Sequence, residues 1–201
     1  MHDGARILYR PAHPYVSRAG VKLAAALDRF ALSPADCVCL DVGASTGGFT
    51  QVLLERGAAR VYCVDVGHGQ FHPKLLQTGR VVLHEGVNAR DLGREIIPEP
   101  PQVITADLSF ISLRQALGPA LSLAAERAWA VLLVKPQFEA GPAAVPDGGV
   151  VRDPSVREAV LANVTGWFIG QGWEKIGAIE SPLAGKEGNR EYLLAGRKLS
   201  G

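Results

Sequence analysis

The 201-residue chain has only three cysteines and one methionine, and no apolar run approaches the roughly 20 residues needed to span a bilayer. Met1 to Arg10 lacks the apolar core of a secretory signal. These absences argue against a disulfide-stapled secreted domain or a membrane-embedded one, and make the cytoplasm the expected compartment. Cys37, Cys39 and Cys63 are expected as buried thiols. No cluster of ligands at metal-binding spacing accompanies them, so no metal is expected. The formal net charge is only +1, which excludes a uniformly basic nucleic-acid binder. The charge is uneven, however. Residues 1–30 hold Arg6, Arg10, Arg18, Lys22 and Arg29 against Asp3 and Asp28, so the remainder is slightly acidic. Arg6, Arg10 and Arg18 are therefore candidate phosphate contacts. With 47% hydrophobic residues, the chain is long enough for one well-buried domain and too short for two of ordinary size. Residues 1–14 are expected as an extension or linker, and 15–201 as the domain.

Apolar residues at helical spacing (Val21, Leu23, Ala24, Leu27, Phe30) predict a first helix over 17–30, closed by Ser33-Pro34. Lys22 falls on the polar side of that helix. Strands are expected at 37–41, 60–65, 81–85, 103–107, 130–135, 173–179 and 190–195. Helices fit at 48–56, 111–125 and 154–171, with a short turn around 90–95. Asp153 before Pro154 is a plausible helix cap. Strands separated by helices imply an α/β fold with a mostly parallel seven-stranded sheet and helices on both faces. Only residues 180–189 separate the last two strands, with no helical pattern, so an antiparallel final strand at the sheet edge is expected. Residues 136–152, with three prolines, form a long loop after a strand.

The most informative segment runs Leu40-Asp41-Val42-Gly43-Ala44-Ser45-Thr46-Gly47-Gly48-Phe49-Thr50. It has the form of a strand end, a glycine turn and a helix start, where Gly43, Gly47 and Gly48 would let a ligand lie against bare backbone. It lacks the Gly-Lys-Ser/Thr of a phosphate-gripping loop and the Gly-x-Gly-x-x-Gly of a dinucleotide site. Asp41 could accept from a cationic amine, and Asp65, closing the next strand, from ribose hydroxyls. This suits S-adenosyl-L-methionine, which has no phosphate. Asp41, Asp65, Asn88, Asp107 and Lys135 all fall at strand carboxyl ends, the edge where ligands bind in an open α/β sheet. A lysine ending an apolar strand needs a carboxylate partner, and Asp107, one strand away, is the natural one. Such a pair could manage the proton of a hydroxyl undergoing methylation. Lys22 and Glu191 are further candidates, though either alone resembles a surface charge.

The segment Tyr15-Val16-Ser17-Arg18-Ala19-Gly20-Val21-Lys22-Leu23 resembles the opening of TlyA-type (hemolysin A-like) ribosomal RNA methyltransferases. The glycine turn resembles their cofactor motif, and Val64-Asp65-Val66-Gly67-His68-Gly69-Gln70, Asn88-Ala89-Arg90, Asp107-Leu108-Ser109-Phe110, Lys135-Pro136-Gln137-Phe138-Glu139 and Gly188-Asn189-Arg190-Glu191 follow in order. The resemblance implies an FtsJ-like, Rossmann-like class I methyltransferase fold, S-adenosyl-L-methionine as cofactor, and 2′-O-methylation of ribose, usually of cytidine, in ribosomal RNA or ribosomal subunits. It implies cofactor contacts at Asp41, Gly43, Ala44, Ser45, Thr46, Gly47, Gly48, Phe49, Asp65, Val66, Asn88, Ala89 and Asp107. The family's lysine–aspartate–lysine–glutamate tetrad falls on Lys22, Asp107, Lys135 and Glu191. Ala19, His68 and Gly86-Val87 depart from the family pattern, and the family's usual N-terminal RNA-binding domain would precede this chain's first residues. Competing readings are a cofactor-binding module serving another hydroxyl acceptor and the membrane-active hemolysin of the older family name. The latter finds no long apolar or strongly amphipathic basic helix in the sequence.

Overall fold

A computed structural model describes residues 13–200 of the chain. Seven strands carry the fold: β1 (Val38–Val42), β2 (Arg60–Asp65), β3 (Val81–Glu85), β4 (Val103–Ala106), β5 (Trp129–Val134), β6 (Trp173–Glu180) and β7 (Tyr192–Lys198). The helices are α1 (Ala19–Phe30), α2 (Gly48–Glu55), α3 (Pro73–Leu76), α4 (Leu113–Ala116), α5 (Gly118–Ser122), α6 (Pro136–Glu139) and α7 (Pro154–Gly170). The strands form one sheet in the order β3-β2-β1-β4-β5-β7-β6. The first five pair in parallel, and β7 runs antiparallel to both β5 and β6. The expected mixed α/β sheet is therefore present.

Several details differ from the sequence reading, and α6 lies in the segment expected as a long loop. The antiparallel β7 lies inside the sheet, and β6 takes the edge. Leu193, Leu194 and Ala195 of β7 are fully buried, whereas Glu174 and Lys175 of β6 are exposed charges that suit an edge strand. The helix expected over 111–125 is two short helices, α4 and α5, because Gly118-Pro119 interrupts the hydrogen-bond ladder. By contrast, Asp153 does cap α7, its carboxylate accepting from the Ser155 amide at 2.8 Å.

Alternation along the strands feeds two cores. Leu40, Val42, Tyr62, Ile104 and Leu132 point to one face, against α4, α5 and α7. Cys39, Val61, Cys63, Val131 and Leu133 point to the other, against α1 and α2. All six residues of β5 are buried, as expected for a central strand covered on both faces. Cys39 and Cys63 are buried and unpaired, whereas Cys37, expected to be buried, is only partly so. Chain order reverses between β1 and β4, so their carboxyl ends open a crevice at the topological switch point.

Candidate active site

The glycine turn after β1 builds this crevice, though not in the expected way. Asp41 has no exposed surface. The Thr50 hydroxyl donates to its Oδ2 at 2.6 Å and the Thr105 hydroxyl to its Oδ1 at 3.0 Å. Burial pushes its pKa up to about 7 against the lowering effect of these bonds. A carboxylate enclosed in this way meets no ligand amine, so Asp41 braces β1, β4 and α2 from within. Ala44, Gly47, Gly48 and Phe49 are likewise buried, and with Thr46 they stand outside the cavity wall. Their glycines answer to protein contacts. A Cβ at Gly47 would come 2.5 Å from Leu75 and one at Gly48 would come 2.2 Å from the Ser17 hydroxyl. Gly43 has φ +81°, and a Cβ there would sit 2.3 Å from the Asp107 carbonyl oxygen. Bare backbone at Gly43 therefore lets β1 and the end of β4 close together.

Seven of the expected cofactor residues do line one cavity of about 480 Å³ over the strand ends: Gly43, Ser45, Asp65, Val66, Asn88, Ala89 and Asp107. Asp65 organises its wall. The Ser45 amide donates to Oδ2 and the Gly67 amide to Oδ1, each at 2.8 Å. A carboxylate has about four lone-pair sites, so capacity remains for hydroxyl donors. Beside it Val66 is 67% exposed, an apolar surface suited to the face of a base. The cavity wall presents two carboxylates, which disfavour a phosphate-bearing ligand and favour a cationic one. The residues present thus fit S-adenosylmethionine. Nearby, the His68 ring covers Gly86, where a Cβ would come 2.6 Å from Nε2. Two departures from the family pattern, His68 and Gly86, thus face each other, while Val87 beside them lines the cavity.

The four tetrad positions form two ion pairs. The Lys135 ammonium lies 2.6 Å from Asp107 Oδ1, off the line of a hydrogen bond, and donates to the Ser109 hydroxyl at 3.0 Å. Lys22 donates to Glu191 Oε2 at 2.5 Å, with side chains only 9% and 2% exposed. Lys22 therefore does not stand on a solvated helix face: α1 buries it against the start of β7. Gln137 links the two pairs, its amide donating weakly to Glu191 Oε1 at 3.4 Å from two residues beyond Lys135. Arg18 is exposed and donates to the Ala184 carbonyl at 3.0 Å, while Arg6 and Arg10 lie outside the described residues.

The sequence reading missed Phe110. It is 91% exposed and has φ +66°, a strained backbone for a bulky side chain. Its ring lies 5.2 Å from that of Phe138, which in turn stands 5.9 Å from Lys135 Nζ. Phe110 and Ile111 wall both the first cavity and a second, of about 650 Å³, which Phe138, Gln137, Arg114 and Pro142 also line. An exposed aromatic in a loop after a strand was the available signal. Among the described residues, no group of three or more His, Cys, Asp or Glu side chains is placed to hold a metal, and no helix is long and apolar enough to cross a membrane.

A sheet of this strand order, with a ligand cavity at its switch point, defines a Rossmann-like class I methyltransferase fold. The family described as FtsJ-like methyltransferase matches residues 15–198, and the chain belongs to it. Over 180 residues it is 48% identical to the 16S/23S rRNA (cytidine-2′-O)-methyltransferase TlyA of Mycobacterium tuberculosis, covering 90% of this chain and 67% of that protein. It is 44% identical to Hemolysin A of Brachyspira hyodysenteriae, covering 89% of this chain and 75% of the other. A solved hemolysin-named protein from Streptococcus thermophilus superposes with a TM-score of 0.90 at 40% identity, covering 96% of this chain and 70% of that one.

Proposed function

We propose that this chain transfers a methyl group from S-adenosylmethionine to a ribose 2′-hydroxyl of ribosomal RNA, with cytidine as the target. The Lys135–Asp107 pair beside a phosphate-averse cavity carries the reading. Two relatives of similar identity bear different names, methyltransferase and hemolysin. A partly buried ammonium–carboxylate pair whose carboxylate lines a cofactor cavity favours the first.

When bound, S-adenosylmethionine supplies a methyl group on a positively charged sulfur. In our reading Asp65 holds the ribose of the cofactor, Val66 and Ala89 pack on its base, and Asn88 and the backbone at Gly43 and Ser45 complete the wall. Lys135 gives up its ammonium proton to solvent, meets the substrate hydroxyl as the free amine, and takes the hydroxyl proton as the oxygen is alkylated. Asp107 stabilises the ammonium so formed, and Ser109 fixes its direction. Lys22 and Glu191 hold the start of β7 against α1 and, through Gln137, keep the Lys135 turn in place. The second cavity begins beside Lys135, at a ring that a nucleobase can stack on, and Arg114 at its rim can meet a phosphate. Such a substrate implies action in the cytoplasm.

The test uses methyl-labelled S-adenosylmethionine and unmodified ribosomal RNA or subunits. Alkaline hydrolysis needs a free 2′-hydroxyl, so ribose methylation leaves the label in alkali-stable dinucleotides containing cytidine. Label in mononucleotides, which marks base methylation, would overturn the proposal.

A further inference from the structure

We infer that Glu139 is a positioning residue that sets Lys135 against Asp107, an inference that rests on the function proposed above. The β4–β5 ladder ends at the pair Ala106–Leu132. Beyond it no ladder bond fixes the segment carrying Asp107 and Ser109 relative to the turn carrying Lys135. The loop between Asp107 and α4 also contains the strained Phe110, a conformation that persists only where its surroundings over-determine it.

Glu139 provides that constraint. Its side chain, one helical turn beyond Lys135, is only 2% exposed and points across to the other segment. The Ser112 hydroxyl donates to Oε2 and the Leu113 amide to Oε1, both at 2.6 Å. The Arg114 guanidinium lies 3.5 Å from Oε2 and also donates to the Glu139 carbonyl at 3.2 Å. Ser112 in turn accepts from the Arg114 amide at 3.1 Å. One buried carboxylate thus joins the α6 turn to the start of α4 by two short charge-assisted bonds. Residues 107–112 are pinned at one end by β4 and at the other by Glu139. The Lys135 turn is pinned by β5 and the same carboxylate. The Lys135–Asp107 contact is the point where these two arms meet.

Removing the staple should misplace the pair without emptying the cofactor cavity: residues 107–111 form one wall, and the walls at Gly43, Ser45, Asp65, Asn88 and Ala89 come from other loops. A misplacement of about 1 Å costs on the order of 100-fold in rate. Glu139→Ala is therefore expected to lower single-turnover methyl transfer at saturating RNA about 30- to 100-fold, with S-adenosylmethionine affinity within about threefold of the parent. Glu139→Gln keeps an acceptor for Leu113 and a donor toward Ser112, and should recover most of the rate. Ser112→Ala removes one bond with little risk to folding and should slow transfer several-fold. Circular dichroism verifies the fold of each variant. A merely structural carboxylate would lower the melting temperature, spare kcat below the melt, and be replaced equally well or badly by either variant. Parent-like kcat in folded Glu139→Ala and Ser112→Ala, or equal losses in rate and cofactor affinity, would overturn the inference. Lys135→Ala is run alongside. If it transfers methyl at the parent rate, the functional reading itself fails. If it is inactive while the Glu139 and Ser112 variants are unaffected, only the role of Glu139 fails.

Discussion

Replacing Asp41 by Asn tests the structural account at its most buried charge. The native carboxyl holds its proton up to pH about 7, against 3.8 for the exposed group, because burial destabilises the anion. A difference of about three pH units corresponds to about 4 kcal/mol. The sign follows from which state binds the proton more tightly. The native state does, so stability from this group is fully present below pH about 4 and is lost as pH rises through about 7. Asn keeps the shape and can accept from one threonine and donate to the other, replacing the bonds from Thr50 and Thr105. It does not titrate. The stability difference between variant and parent should therefore move in favour of Asp41→Asn by about 4 kcal/mol between pH 4 and 8. Urea unfolding of both proteins across that range measures it, and subtracting the two curves cancels every other titrating group. Parallel curves, or a parent that gains stability relative to Asn at high pH, would refute the reasoning.

Asp65→Ala removes the acceptor for the Ser45 and Gly67 amides as well as the expected hydroxyl contacts. It should weaken S-adenosylmethionine binding about 10- to 100-fold by calorimetry. Gly43→Ala forces a Cβ against the Asp107 carbonyl at a positive φ, and should cost at least about 2 kcal/mol in urea unfolding while loosening the cofactor. Lys22→Met leaves Glu191 buried without its partner and should destabilise by about 3–5 kcal/mol. Adding Glu191→Gln should recover much of that loss, and single and double variants showing equal loss would contradict the pairing.

Local signals in the chain made the sheet legible. Short apolar runs, Gly and Pro punctuation and the Asp153-Pro154 cap each act over a few residues, so strand number and the mostly parallel pattern followed. The position of β7 did not, because its insertion between β5 and β6 depends on what β5 leaves uncovered on its free edge. The strand-end rule anticipated that Asp65, Asn88 and Asp107 share one cavity and that Lys135 stands against Asp107. It failed for Asp41 because position along a strand does not say whether a side chain meets threonines inside the sheet or a ligand above it. Spacing on α1 gave Lys22 a polar face, but the face toward β7 contains Glu191, 169 residues away in sequence. Glu139 was visible only as the end of a motif. Its partners at 112–114 become neighbours through the packing of α6 on the β4–α4 loop, a contact that no local pattern encodes.

The most direct measurement sets cofactor binding against methyl transfer in Lys135→Ala. The account predicts S-adenosylmethionine affinity within about twofold of the parent, and a transfer rate to ribose lowered by about 10²- to 10⁴-fold, the worth of a positioned proton acceptor. Transfer at the parent rate, or loss of cofactor binding in step with activity, would contradict it.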